Sequence, residues 1–275
     1  MGNDFFLSKE DYEEPRCLLN MDKTDITPIP CSRVIEKLDE HLGRNDYSAA
    51  ERHLTYWLEE ANAGNDMRGK LTVLNEQIGL YRKLKKEPEG IRAISAALAL
   101  ANQLGLEKTV TFGTTLINAA TGYRSFGKAE KALPLYQNAQ AIYESALTPD
   151  DSRLGGLYNN MALTLTDLEA YQKAEELFGK ALSIMEKQEH GEAEMAITYL
   201  NLADLVSAEF GLEAGEKRIE SYLQRAEELL NTESLPKDGY YAFVCEKCAP
   251  VFGYYGYFLT EQELTQRARE IYERT

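Results

Sequence analysis

Ala97, Ala139 and Ala181 stand 42 residues apart, and Ala226 and Ala268 continue the series at spacings of 45 and 42. A second ladder, Ile78, Ala120, Ala162, Ala203 and Ala249, runs beside it at 42, 42, 41 and 46. Three residues after each member comes a larger apolar side chain: Tyr81, Tyr123, Leu165, Val206 and Phe252. Two ladders sharing one period describe a chain built from repeats of one supersecondary unit, each too small to bury its own apolar face and therefore stacked on its neighbours.

The content of a period is helical. Leu154, Leu157, Met161, Leu165 and Leu168 step by three to four residues, which places them on one helix face. A break follows at Glu169-Ala170-Tyr171, and then Ala174, Leu177, Phe178, Ala181, Leu182 and Met185 trace a second stripe. The matching break is Gly127-Lys128 one period earlier and Gly211 one period later. Helices cross closely only where side chains are small, so alanine recurs at the crossing and larger residues fill the groove one turn away.

The stretch Tyr158-Asn-Asn-Met-Ala162, then Tyr171 after the turn, Ala174, Phe178 and Ala181, resembles a tetratricopeptide repeat, as does Asn118, Ala120, Tyr123, Gly127, Ala132, Tyr136 and Ala139. The period is longer than the family's usual value of about 34. It is similar to the long-helix variant of kinesin light chains and bacterial peptide-sensing regulators. The resemblance implies an all-α, right-handed α-solenoid of about six antiparallel helix pairs over residues 31–275. Residues 1–30, with Pro15, Pro28 and Pro30, show no repeat and are expected to form an arm on the first repeats.

The formal charge of −15 excludes a general affinity for nucleic acid, because such a surface repels phosphate. The short cluster Arg82, Lys83, Lys85 and Lys86 reads as a solvated helix end. No apolar run approaches the ~20 residues that cross a bilayer. The first residues carry an acid where a secretory signal carries basic ones. Four cysteines in 275 residues do not make a disulfide framework, so the expected setting is cytoplasmic.

Catalytic signatures are not found. His41, His53 and His190 lie near no nucleophile motif, and no metalloprotease, phosphate-loop or nucleophile-elbow pattern occurs. No catalytic residue, metal ligand or cofactor is assigned. Cys245-Glu-Lys-Cys248 offers two ligands where structural zinc takes about four. Cys17 and Cys31 could complete a set only by bringing the N-terminal arm to the last repeat. The register puts both Cys245 and Cys248 on the apolar face, which favours packing over metal or redox chemistry.

The candidate binding residues are a series of amides. Asn118, Asn160 and Asn201 take equivalent places in the first helix of three successive repeats, and Asn75 and Asn159 stand one residue earlier in alternate repeats. Thr121 and Asp204 share that side of the helix, with Arg82 and Arg124 at a matching pair of positions 42 apart. Asparagine both donates and accepts, so a ladder of asparagines can hold the backbone of an extended peptide. The bland alternative is that they serve the repeat itself. The resemblance implies that this side lines an inner concave groove that binds a protein or peptide partner, and the arginines point to a ligand bearing carboxylates. A second expectation is a homo-oligomeric scaffold joined through the aromatic residues between Tyr240 and Phe258.

Overall fold

The computed structural model describes residues 26–274. Eleven helices and no strand occur among them, in two units that divide between Ala146 and Leu147. The first unit contains α1 (Cys31–Gly43), α2 (Tyr47–Ala63), α3 (Met67–Lys83), α4 (Glu87–Gln103), α5 (Val110–Ser125) and α6 (Ala129–Ala146). The second contains α7 (Ser152–Asp167), α8 (Tyr171–Met185), α9 (Glu192–Leu230), α10 (Gly239–Tyr254) and α11 (Phe258–Tyr272). Within each unit, consecutive helices pack on one another in chain order, which is the all-α repeat solenoid class implied by the ladders.

α9 holds two helices of one pair. Gly211 sits inside it at φ 79° and ψ 170°, a conformation essentially closed to residues with a Cβ. The two arms fold back on each other: the rings of Tyr199 and Tyr222 are 6.0 Å apart, and a Cβ on Gly215 would lie 2.8 Å from Val206. A straight helix would separate residues 23 apart by about 35 Å. Six antiparallel pairs therefore follow one another among the described residues, three in each unit.

The turn inside each pair has its own ladder. Asn45, Lys85, Gly127, Glu169, Gly211 and Gly256 all have positive φ, at spacings of 40, 42, 42, 42 and 45. A left-handed residue just past a helix end lets the closing carbonyls find donors and sends the chain back antiparallel. Aspartates begin many of the helices that follow turns. Asp46, Asp66 and Asp238 accept from the backbone N–H of Ala49, Gly69 and Tyr241.

Both sequence ladders are the crossings. Ala97, Ala139, Ala181, Ala226 and Ala268, with Ile78, Ala120, Ala162, Ala203 and Ala249, are all buried, none more than 4% exposed. Cys245 and Cys248 are buried in α10. Of the proposed N-terminal arm, residues 1–25 lie outside the described residues. Next to them, Thr27 donates its N–H to Gly64 O, and Ile29 donates to Asp66 Oδ2, each at 2.9 Å. Asp66 thus binds the segment before α1 with one oxygen and caps α3 with the other.

Candidate functional site: the asparagine clasps

In the first unit Asn75, on α3, is buried. Its Nδ2 donates to Leu71 O (3.0 Å) and to Thr115 Oγ1 (3.2 Å), and its Oδ1 accepts from Asn118 Nδ2 (3.0 Å) on α5. The second unit repeats the arrangement between α7 and α9. Asn159 Oδ1 accepts from Asn201 Nδ2 at 3.1 Å, and the Thr198 hydroxyl divides its one proton between that oxygen at 3.3 Å and Glu194 O at 2.9 Å. In both units an asparagine of one repeat is clasped by an asparagine and by the threonine three residues before it in the next. The clasp joins the first helices of successive pairs.

Four of the five expected amides therefore bond to one another. Asn160 stands apart: it is half-buried, and no hydrogen bond engages its side chain among the described residues, while its carbonyl accepts from Thr164 Oγ1 at 2.9 Å. The other expected residues are also engaged. The Thr121 and Tyr136 hydroxyls lie 2.7 Å apart. Asp204 accepts from the Tyr255 hydroxyl at 2.9 Å, which links α9 to α10. Arg82 and Arg124 each take part in an interaction within the protein.

One carboxyl that motif reasoning passed over belongs to this column in the first unit. Glu76 follows Asn75 and takes the place in its repeat that Asn118, Asn160 and Asn201 take in theirs. It is buried, and burial first, then the negative charge of Asp39 on α1, pushes its carboxyl up to about 8. Asp39 is itself raised, because the surrounding chain excludes part of its water. The readable signal for Glu76 was its place in the column: an acid where the later repeats have amides.

Cys245 and Cys248 have the character of core thiols. Burial raises both, Cys248 to about 12, which disfavours the thiolate that a nucleophile needs. Among the described residues no group of three or more histidine, cysteine or carboxylate side chains is placed to hold a metal, and no helix is long and apolar enough to cross a membrane. Cys17 lies outside the described residues.

Residues 155–187, covering α7 and α8, match the family model of the tetratricopeptide repeat. No curated protein matches the chain in sequence. Among solved structures, the nearly identical TPR-like repeats assigned to a Podosopora anserina kinesin light chain are 16% identical over 74% of this chain and 94% of theirs, with a TM-score of 0.52. A point variant of the same repeats, at the same identity and coverage, gives 0.53. BtubC of P. vanneervenii is 18% identical over 89% of this chain and 91% of its own, with a TM-score of 0.49. Residues 155–187 thus match a tetratricopeptide repeat, and the fold of the chain resembles that of kinesin light chain TPR-like repeats.

Proposed function

We propose that, within each unit, the face made by the first helices of the pairs binds an extended segment of a partner protein, and that the chain acts as a non-enzymatic interaction module in the cytoplasm. Stacked repeats of this kind present continuous surfaces suited to partner binding. The observation that carries the reading is Asn160, an amide in register with the clasp asparagines whose donor and acceptor are not used within the described residues. Asn118 and Asn201 spend one N–H on the preceding repeat and keep further capacity for a peptide backbone. Arg82 and Arg124 would take a ligand carboxylate by exchanging it for their present interactions.

The test is a peptide selected against the full chain from a random display library, then titrated against variants. Asn160→Ala should weaken it by about 1–3 kcal/mol. Lys187→Ala, which removes an exposed ion pair with Asp150, should leave it unchanged. Equal binding by both variants would remove the asparagine face as the site.

A second reading, self-association, is favoured by one patch. Tyr254, Phe258 and Leu259 at the α10–α11 turn are 68%, 62% and 83% exposed. Sedimentation of the wild type and of Leu259→Glu tests it: a concentration-dependent mass in the first, lost in the second, is the expected result.

A further inference from the structure

The hairpin of α9 extends beyond the pair that follows it. On its α8 side the tip is level with its neighbour. The Tyr171 hydroxyl, at the α7–α8 turn, donates to Ala208 O, three residues before Gly211, at 3.4 Å. On the other side the levels differ. Tyr255, at the α10–α11 turn, donates to Asp204, seven residues short of Gly211, at 2.9 Å. Thr260, just past that turn, donates to Glu227, 16 residues beyond Gly211, at 2.7 Å. At 1.5 Å per residue the two arms run about 10 and 24 Å from these contacts to the tip. The α10–α11 turn therefore sits at the foot of a step whose wall is the flank of α9.

Foot and wall differ in chemistry. Tyr254, Phe258 and Leu259 are exposed at the foot, and Phe210 and Leu212 are exposed at the top. Between them the second arm of α9 carries Glu213, Glu216, Glu220 and Glu227, which at 100° per residue fall within about 60° of one another. Its arginines are engaged elsewhere: Arg218 pairs with Glu175 of α8 at 2.6 Å and Arg225 with Glu228 at 2.9 Å, while Lys217 lies at the margin of the strip. The strip faces the turn, since Glu227 accepts from Thr260. In keeping with this, burial first, then the charges of Glu220 and Glu227, raise the Tyr257 hydroxyl.

We propose that this step docks a segment of a partner protein that carries an apolar residue followed by lysines or arginines. The apolar residue covers the aromatic foot, and the cations run along the acidic wall. From Glu213 to Glu227 is about 21 Å of helix, which an extended segment of about six residues spans, with alternate side chains toward the strip. Charge decides between occupants. A second copy would set acid against acid, whereas a cationic segment meets the wall with the opposite sign. The same foot carries the self-association reading, and the two occupants answer salt in opposite senses: screening weakens the cationic segment and relieves the repulsion between copies. None of the foot or wall residues belongs to the asparagine face, so the two sites can fail separately.

The experiment titrates the full chain with three blocked octapeptides, followed by NMR into the millimolar range. They are Phe-Leu-Lys-Ala-Lys-Ala-Lys-Ala, the same peptide with glutamine for each lysine, and the same with alanine for Phe-Leu. At about 50 mM salt the first should bind at least about tenfold more tightly than either of the others, and about tenfold less tightly at about 500 mM. Glu216→Gln combined with Glu220→Gln should abolish its advantage over the glutamine peptide, and Leu259→Ser its advantage over the alanine peptide. Glu130→Gln, an exposed acid of α6, should change neither. The substituted positions are all exposed, so the variants keep the fold. Equal binding of the lysine and glutamine peptides overturns the cationic partner. So does the absence of any binding, and an oligomer that strengthens at the higher salt then gives the foot to a second copy.

Discussion

Glu76 in the first unit and Asn160 in the second stand at the same place in their repeats, one residue after the asparagine that receives the clasp. The clasps themselves match, with amide separations of 3.0 and 3.1 Å. What differs is the neighbour: a buried carboxyl in one unit and a half-buried amide in the other. The repeat's framework is thus specified by the residues that bond to each other, while the adjacent position carries an acid in one unit and an amide in the other.

The sharpest way to break this comparison is to remove the charge. The Glu76 carboxyl ionises near 8 in the folded chain and near its ordinary value when unfolded, so the folded state holds the extra proton between these limits. Stability associated with it is complete below about pH 4.5 and is lost as pH rises through 8. Glu76→Gln should therefore gain stability over wild type at pH 9, on the order of 4 kcal/mol, and little at pH 4.5, measured by urea unfolding. Asn160→Asp, which puts an acid at the half-buried site, should show a much smaller dependence on pH. A flat difference for Glu76→Gln would mean that the carboxyl reaches water.

A second test compares two glycines at equivalent places. A Cβ on Gly113 would stand 2.5 Å from the Tyr143 ring, and one on Gly155 would stand 2.6 Å from the Met185 methyl. Tyr143 is buried and its hydroxyl lies 2.6 Å from that of Thr114, so it cannot turn aside, whereas a methionine end is readily re-aimed. Gly113→Ala should cost about 2–3 kcal/mol and Gly155→Ala less than about 1. Equal losses would show that the two crossings yield alike.

The smallest effect lies at the turns. Lys85 and Glu169 hold φ of 55° and 58° inside equivalent pairs, where Gly127 and Gly256 show what the turn prefers. Lys85→Gly and Glu169→Gly should each raise stability by about 1 kcal/mol, seen as a higher denaturation midpoint. A loss in either would mean that its side chain contributes more than the strain of its backbone costs.

Much of this fold is readable from spacing, because helix crossings demand small residues and a ladder of alanines follows from that demand. The turn at Gly211 is readable for a similar reason, since no other residue enters its conformation at low cost. The asparagine register is readable as well, but the clasp is not. Asn75 meets Asn118 with an offset of 43 and Asn159 meets Asn201 with 42, and the choice of partner is made by side-chain torsions that leave no periodic trace. Thr115 and Thr198 escaped notice because threonine is common inside helices and only the amide three residues on gives it this role. Glu76 leaves no such trace, since it is unlike the asparagines in the rest of its column.

The clasps also set the grain at which the chain can be lengthened. Asn75 and Asn159 receive, Asn118 and Asn201 give, and the receiving places of the repeats between hold Ile117 and Leu200. The pattern that recurs is thus a doublet: 84 residues separate the two receivers and 83 the two givers. Splicing a single 42-residue repeat between a giver and its receiver would leave both amides facing apolar side chains. Splicing in a whole doublet, receiver first, would keep every bond in phase. Duplication in pairs is the growth that this architecture accepts.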